Sequence, residues 1–244
     1  MRSFAIFLSL SFITVSLFAQ EKITFLAEDN LEVTADLYEI DESFPFVLLF
    51  HQSGSSRGEF LETAARITRF GYNCLAVDLR FGEEENFIRN ETAIRSVERN
   101  YPNNMLDCRK DIRAAIKYAS ERSGKNMVLL GSSFSASLCL VLGKESPEVD
   151  AVIAFSPGEF FQSDLDIKEE LENYPKPVFA AGMKREKTYL EEMFMFVPDD
   201  KKTIFVPETE EGQYGAKALW KSNSSSFEYW LGLLVFFKSI LPAQ

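Results

Sequence analysis

The chain has 244 residues, a formal charge of −11, 46% hydrophobic residues and 23 phenylalanines. So much apolar content excludes a disordered chain and is ample for a large core, and the length suits one α/β unit or two small ones. The acidic balance argues against nucleic acid or an anionic membrane surface as a partner; it reads as a solubility device.

Met1 to Gln20 reads as a leader outside the fold. Arg2 supplies a positive end, Phe4 to Phe18 is an apolar run broken only by small polar residues, and Ala19 is a small residue suited to cleavage. The run is short for a bilayer span, and no cysteine near its end supports a lipid anchor. The expectation is a secretory signal cleaved near Ala19 or Gln20, an uncleaved anchor being the alternative. Residues 21–244 then form a single domain that is secreted or periplasmic, with no stable membrane insertion once the signal is gone.

Ile23 to Glu28 and Leu31 to Ile40 read as strands joined at Asp29-Asn30, the turn chemistry of a hairpin. Phe44 to Phe50 is a further apolar strand, ending in His51-Gln52-Ser53-Gly54. Glu59 to Phe70 has helical spacing and is closed by Gly71, and Asn73 to Leu79 is a strand. Phe81 to Asn104 has poor periodicity and many charges, so a long functional or mobile loop is expected, its charges reading first as a solvated surface, with Arg89, Arg95 or Arg99 as contacts for an acidic substrate the alternative. Leu106 to Tyr118 returns to helix.

Met127 to Leu130 is a short apolar strand that turns sharply through Gly131-Ser132-Ser133-Phe134-Ser135 into a helix-favouring run. A strand, a tight turn and a helix form the context in which G-x-S-x-G carries chemistry, with the middle serine in a strained backbone and its hydroxyl at the top of the sheet. Ser135 stands where the second glycine would be. Beyond it come a strand at Val149 to Phe155, a helix at Asp164 to Asn173, a strand at Pro177 to Gly182 and a helix at Thr188 to Phe196. Thr203 to Val206 is a strand, Ala216 to Lys221 a helix, and Phe227 to Leu241 a core-packed amphipathic helix. Alternating strands and helices from residue 44 onward predict a mostly parallel sheet covered on both faces. Cys74 and Cys139 lie in apolar runs and read as packing residues; with Cys108 they leave room for one disulfide at most. A single histidine and no close cysteine pair give no metal site, and no cofactor is expected.

Four segments, in this order, resemble the α/β-hydrolases, and within them the dienelactone-hydrolase branch. VLLFHQSGSSRGEF is similar to the strand and oxyanion loop, with Gln52 where glycine is usual, and GSSFSA is similar to the nucleophile elbow. PVFAAGMKRE stands where the acid-bearing strand would be, and GQYGAKALW where the catalytic histidine normally precedes a glycine. The resemblance implies a sheet of about eight strands with an antiparallel N-terminal hairpin and helices on both faces. It implies Ser133 as nucleophile, backbone N–H groups of Phe134 and of Ser53 or Gln52 as oxyanion donors, and Glu186 as acid, with Glu159 as second candidate. His51 falls in a structural position after the third strand, its use as a base from the other side being the alternative.

At the base position stands Tyr214. A phenol with a reference pKa of about 10 does not accept a proton near neutrality as imidazole does. A Tyr214 phenolate favoured by Lys184 or Lys217 is one way round this. Three readings stay open: a secreted serine hydrolase of small ester or lactone substrates with weak or unconventional turnover, a non-catalytic relative that binds a small ligand or a protein partner, and a purely structural interaction module, which only the acidic surface and the Phe81 to Asn104 segment recommend. Phe134, Phe160 and Phe161 are candidates for an apolar acyl pocket.

Overall fold

The computed structural model describes residues 20–240. Of the expected leader, Met1 to Gln20, residues 1–19 lie outside the described residues, whereas Gln20 opens the first strand, paired with Tyr38, and so belongs to the fold. The hairpin is β1 (Gln20–Leu26) and β2 (Glu32–Tyr38), turned by Asn30 at φ 66°, a left-handed conformation that asparagine tolerates. β3 (Phe46–Phe50) follows, then α1 (Leu61–Ile67), the 3-10 turn to Gly71 at φ 86°, and β4 (Asn73–Val77).

The expected loop over 81–104 is instead ordered structure. It holds a two-stranded ribbon, β5 (Glu84–Glu85) and β6 (Ile88–Arg89), and a helix, α2 (Glu91–Glu98). α2 shows no apolar period because its buried positions are Thr92, Ala93 and Ser96. Their hydroxyls serve the backbone: Thr92 Oγ1 accepts the Thr34 N–H at 2.9 Å, and Ser96 Oγ donates to the Arg80 carbonyl at 3.2 Å. The Asn90 side chain caps the helix by accepting the Ala93 N–H at 2.8 Å.

α3 (Arg109–Ser123), β7 (Met127–Ser132), α4 (Phe134–Glu145), β8 (Val149–Phe155), α5 (Ile167–Glu170), β9 (Val178–Ala181), α6 (Lys187–Met193), β10 (Lys202–Phe205) and α7 (Ser226–Ile240) complete the order. The eight-stranded sheet runs β1-β2-β4-β3-β7-β8-β9-β10, and every pair from β4 to β10 is parallel. Alternation within β3 divides the core: Leu48 and Phe50 pack under α3 and α4, Val47 and Leu49 under α1 and α7. This double burial explains why β3 reads as an unbroken apolar run. Cys74, Cys108 and Cys139 are all free thiols and buried, so no disulfide forms.

Two buried arginines fasten the 81–104 segment to the sheet. Arg80 is fully buried, pairing with Asp111 at 2.8 Å and Asp29 at 2.7 Å; Arg57 pairs with Asp36, Asp78 and Glu91. Removing one partner of such a pair strands the other charge out of water. Arg80→Ala is therefore expected to cost about 3–5 kcal/mol in urea unfolding. Arg113→Ala, which breaks only the exposed pair with Glu145, is expected to leave the midpoint near the parent's.

Candidate active site

The carboxyl ends of the parallel strands carry the loops that build the site, as the topology of such sheets dictates. After β7, Ser133 adopts φ 61° and ψ −127°, outside the regions open to most L-residues. Its N–H donates to the Phe155 carbonyl at 2.8 Å, and α4 begins at the next residue. Gly131 is required here, since a Cβ on it would lie 2.5 Å from the Ala136 backbone. Ser135 substitutes for the second glycine by making its hydroxyl useful: it accepts the Ser132 N–H at 3.0 Å and donates towards the Phe50 carbonyl at 2.7 Å, tying elbow to β3.

Ser133 Oγ lies 2.7 Å from the Tyr214 hydroxyl. Burial raises the Tyr214 pKa above its ordinary value, the Ser133 hydrogen bond opposes this, and the charge of Glu186 adds to the rise. The phenol is thus protonated at neutral pH, able to share a hydrogen bond with Ser133 but not to remove its proton. Neither lysine assists: Lys184 Nζ donates to the Glu208 carbonyl at 2.6 Å, and Lys217 pairs with Glu85. The phenolate route is not built.

Glu186 stands after β9, within the electrostatic reach of Tyr214. Its Oε2 accepts the Met183 N–H at 2.7 Å and the Ser156 hydroxyl at 2.9 Å, and Ser156 Oγ in turn accepts the Gly215 N–H at 3.0 Å. Ser156 therefore links the carboxylate to the turn bearing Tyr214. Glu159, the second acid candidate, is directed elsewhere: its oxygens accept the N–H groups of Ile167 and Lys168, both at 2.9 Å, at the start of α5.

His51 does not face Ser133. It is fully buried, its Nε2 accepts the Leu79 N–H at 3.0 Å, and its Nδ1 lies 2.8 Å from the Gln52 carbonyl. The amide donor on Nε2 requires the Nδ1–H tautomer, which donates to that carbonyl. Gln52 is also corrected as an oxyanion donor, because its N–H donates to Glu59 Oε2 at 3.0 Å. Among the described residues the N–H groups of Phe134 and Ser53 have no acceptor, which leaves them available to an oxyanion.

Of the aromatic candidates, Phe134 and Phe161 are buried and Phe160 is only partly so; Phe134 packs edge-on against Phe81 at 6.0 Å. A cavity of about 710 Å³ beside Ser53 is walled by Phe81, Ile94, Val97 and Arg89. Arg95 instead bonds Thr34 Oγ1 at 2.9 Å and pairs with Glu32, so it serves the fold. Sequence reasoning missed Ser156, Ser132 and Glu59, whose partners come from loops remote in the chain. Ser132 Oγ accepts the Ala216 N–H at 2.8 Å, 84 residues away.

The model of the dienelactone hydrolase family matches residues 33–187. That span contains His51, Ser133 and Glu186 and ends before Tyr214. An esterase of Pyrococcus furiosus superposes with a TM-score of 0.66 at 18% identity, over 91% of this chain and 93% of its own. A dienelactone hydrolase of Anabaena variabilis does so at 0.68 and 15%, over 92% and 99%. An α/β-hydrolase of a Penicillium species gives 0.68 and 13%, over 91% and 98%. No curated protein sequence matches the chain. At these identities the superpositions establish the α/β-hydrolase fold.

Burial lowers the His51 pKa to about 4 from its ordinary 6.5. Because the neutral ring is favoured in the fold, the stability it contributes is complete above the unfolded value and is lost as pH falls towards the folded one. The advantage of the parent over His51→Gln is expected to shrink by about 2 kcal/mol between about pH 7.5 and about pH 5. Urea unfolding of both chains at the two pH values measures this.

Proposed function

The chain belongs to the dienelactone hydrolase family, and on that premise we propose that it is a serine hydrolase of small ester or lactone substrates whose turnover is slow for want of a base. Ser133 is the nucleophile in this reading, and the N–H groups of Phe134 and Ser53 receive the oxyanion. Tyr214 occupies the place of the imidazole, with Glu186 behind it. The observation that carries the reading is the 2.7 Å contact of Ser133 Oγ with a protonated phenol. Acyl attack needs the serine proton to leave as the bond to carbon forms, and among the described residues no base is bonded to Oγ. Loss of one triad member lowers turnover by roughly 10⁴- to 10⁶-fold, while binding and oxyanion stabilisation persist.

The second reading, a ligand-binding relative without turnover, draws on the same phenol. Export belongs to the proposal too. Its support is the composition of Met1 to Gln20, and a mature N-terminus at Gln20 or Glu21 is what mass spectrometry of the exported chain should find.

A fluorophosphonate probe and a short-chain p-nitrophenyl ester separate the two readings. Slow labelling and slow turnover, both abolished in Ser133→Ala, are the expected result; a folded chain with neither at any pH leaves the binding reading standing. Tyr214→His is expected to raise ester hydrolysis by about 10² or more, since general-base catalysis contributes on that order. Adding Glu186→Gln should remove much of the gain, and no gain in a folded Tyr214→His chain would refute the assignment of position 214.

A further inference from the structure

Three loops of the acyl site meet at one buried carboxyl group that the proposed chemistry does not use. Glu59 is fully buried. Its Oε2 accepts the Gln52 N–H at 3.0 Å, which fixes the loop carrying Ser53. Its backbone carbonyl accepts the Trp220 indole N–H at 2.8 Å, which fixes the segment after Tyr214. Ser132 Oγ, on the elbow, accepts the Ala216 N–H at 2.8 Å. Gln52 Oε1 and Ser132 Oγ crowd the same point beneath Gly215, 2.7 Å and 2.5 Å from where a Cβ would sit. Oxyanion loop, elbow and Tyr214 turn thereby meet beside Glu59, through its carboxyl group, its backbone carbonyl and the Ser132 hydroxyl.

The junction is short of a donor. Glu59 Oε1 and Gln52 Oε1 are both buried without a hydrogen-bond partner. Buried oxygens left in that state cost on the order of 1–3 kcal/mol each. A proton carried on Glu59 Oε1 turns one of the two orphaned acceptors into a donor. The charges facing the group are few. Lys217 approaches from the 215–219 turn but is paired with Glu85, which also takes the Ser55 hydroxyl at 3.2 Å. Arg57, on the same turn as Glu59, is engaged by Asp36, Asp78 and Glu91, and His51 on the adjoining loop is neutral.

We propose that Glu59 is a positioning residue of the acyl site that works as the neutral acid: protonated, it holds the oxyanion loop, the elbow and the Tyr214 turn together, and ionised, it loosens them. The loops it joins owe nothing to turnover, whereas their effect on acylation rests on the hydrolase reading of Ser133. Burial pushes the carboxyl up to about 7. The change then falls within the neutral range, and the stability due to the group is present in acid and lost as pH rises through that value.

Two measurements test this, one independent of acyl chemistry. The indole N–H resonance of Trp220, assigned with Trp220→Phe, should titrate with a midpoint of about 7 in the parent and lose that inflection in Glu59→Gln, an isosteric stand-in for the neutral acid. The rate of fluorophosphonate labelling at Ser133, taken as the ratio of Glu59→Gln to parent, cancels the general dependence of serine reactivity on pH. That ratio should be near one at about pH 6 and rise to on the order of tenfold at about pH 8.5, less than the loss of a whole oxyanion donor. An unchanged Trp220 titration in Glu59→Gln, or a ratio flat with pH, overturns the proposal. Should Glu59→Gln not fold, the parent decides it: no Trp220 inflection between about pH 5.5 and about pH 8.5 sinks it. Absence of labelling in both chains, with the Trp220 inflection intact, refutes the hydrolase reading and leaves the junction standing.

Discussion

Everything chemical in this molecule depends on a backbone conformation that the chain would not adopt on its own. Ser133 at φ 61° and ψ −127° stores strain on the order of 1–3 kcal/mol. Such a residue persists only where its surroundings over-determine it. Here β7 and α4 pass so closely that Gly131 has no room for a side chain, Ser135 bonds back to β3, and the Ser133 amide is taken by β8. Sheet, helix and two neighbouring strands together fix one hydroxyl at the strand ends. The elbow is thus a property of the whole sheet, held by these contacts without help from Tyr214.

On the proposed reading, in which Tyr214 stands where the family's histidine would, the consequences can be ranked by size. Loss of a general base from a triad corresponds to about 5–8 kcal/mol of barrier. Loss of one oxyanion donor costs about 3–4 kcal/mol. The Ser133–Tyr214 hydrogen bond that an attacking oxygen must give up is worth about 1 kcal/mol net. Phenol in place of imidazole is therefore felt as a missing acceptor far more than as a blocked nucleophile. The free amides of Phe134 and Ser53, by contrast, belong to the backbone and persist through side-chain change.

The sheet was legible in the sequence wherever burial is uniform. β3, β7 and β8 announce themselves as apolar runs because both of their faces are covered, and the glycine of the elbow is dictated by a close approach. α2 was illegible because it buries Thr92, Ala93 and Ser96, the first bonding β2 and the last the loop at Arg80, so its inner face carries no apolar signal. Glu159 looked like an acid at a strand end, and only the path of the following segment shows that it caps α5. Glu59 reads locally as an acidic residue in a helical first turn; that the fold closes over it is decided by Gln52, Ser132 and Trp220, which come from three separate loops. Periodicity encodes which face is buried. It does not encode which polar groups are buried together.

Glu186, the acid of the proposed reading, shows why a carboxylate at such a position is weak testimony to catalysis. Glu186 receives the Met183 amide and the Ser156 hydroxyl, and through Ser156 it holds Gly215, so it has structural work whether or not an imidazole stands before it. Replacing the residue at 214 leaves those three bonds intact, because they run to the backbone and to Ser156. The scaffold behind the site consequently places no demand on the identity of residue 214, and that residue can change without unfolding its supports. On the proposed reading, the same independence means that an imidazole introduced there meets Glu186 and Ser133 already in place. On that reading, the difference between a slow member of this family and a fast one is concentrated in one side chain.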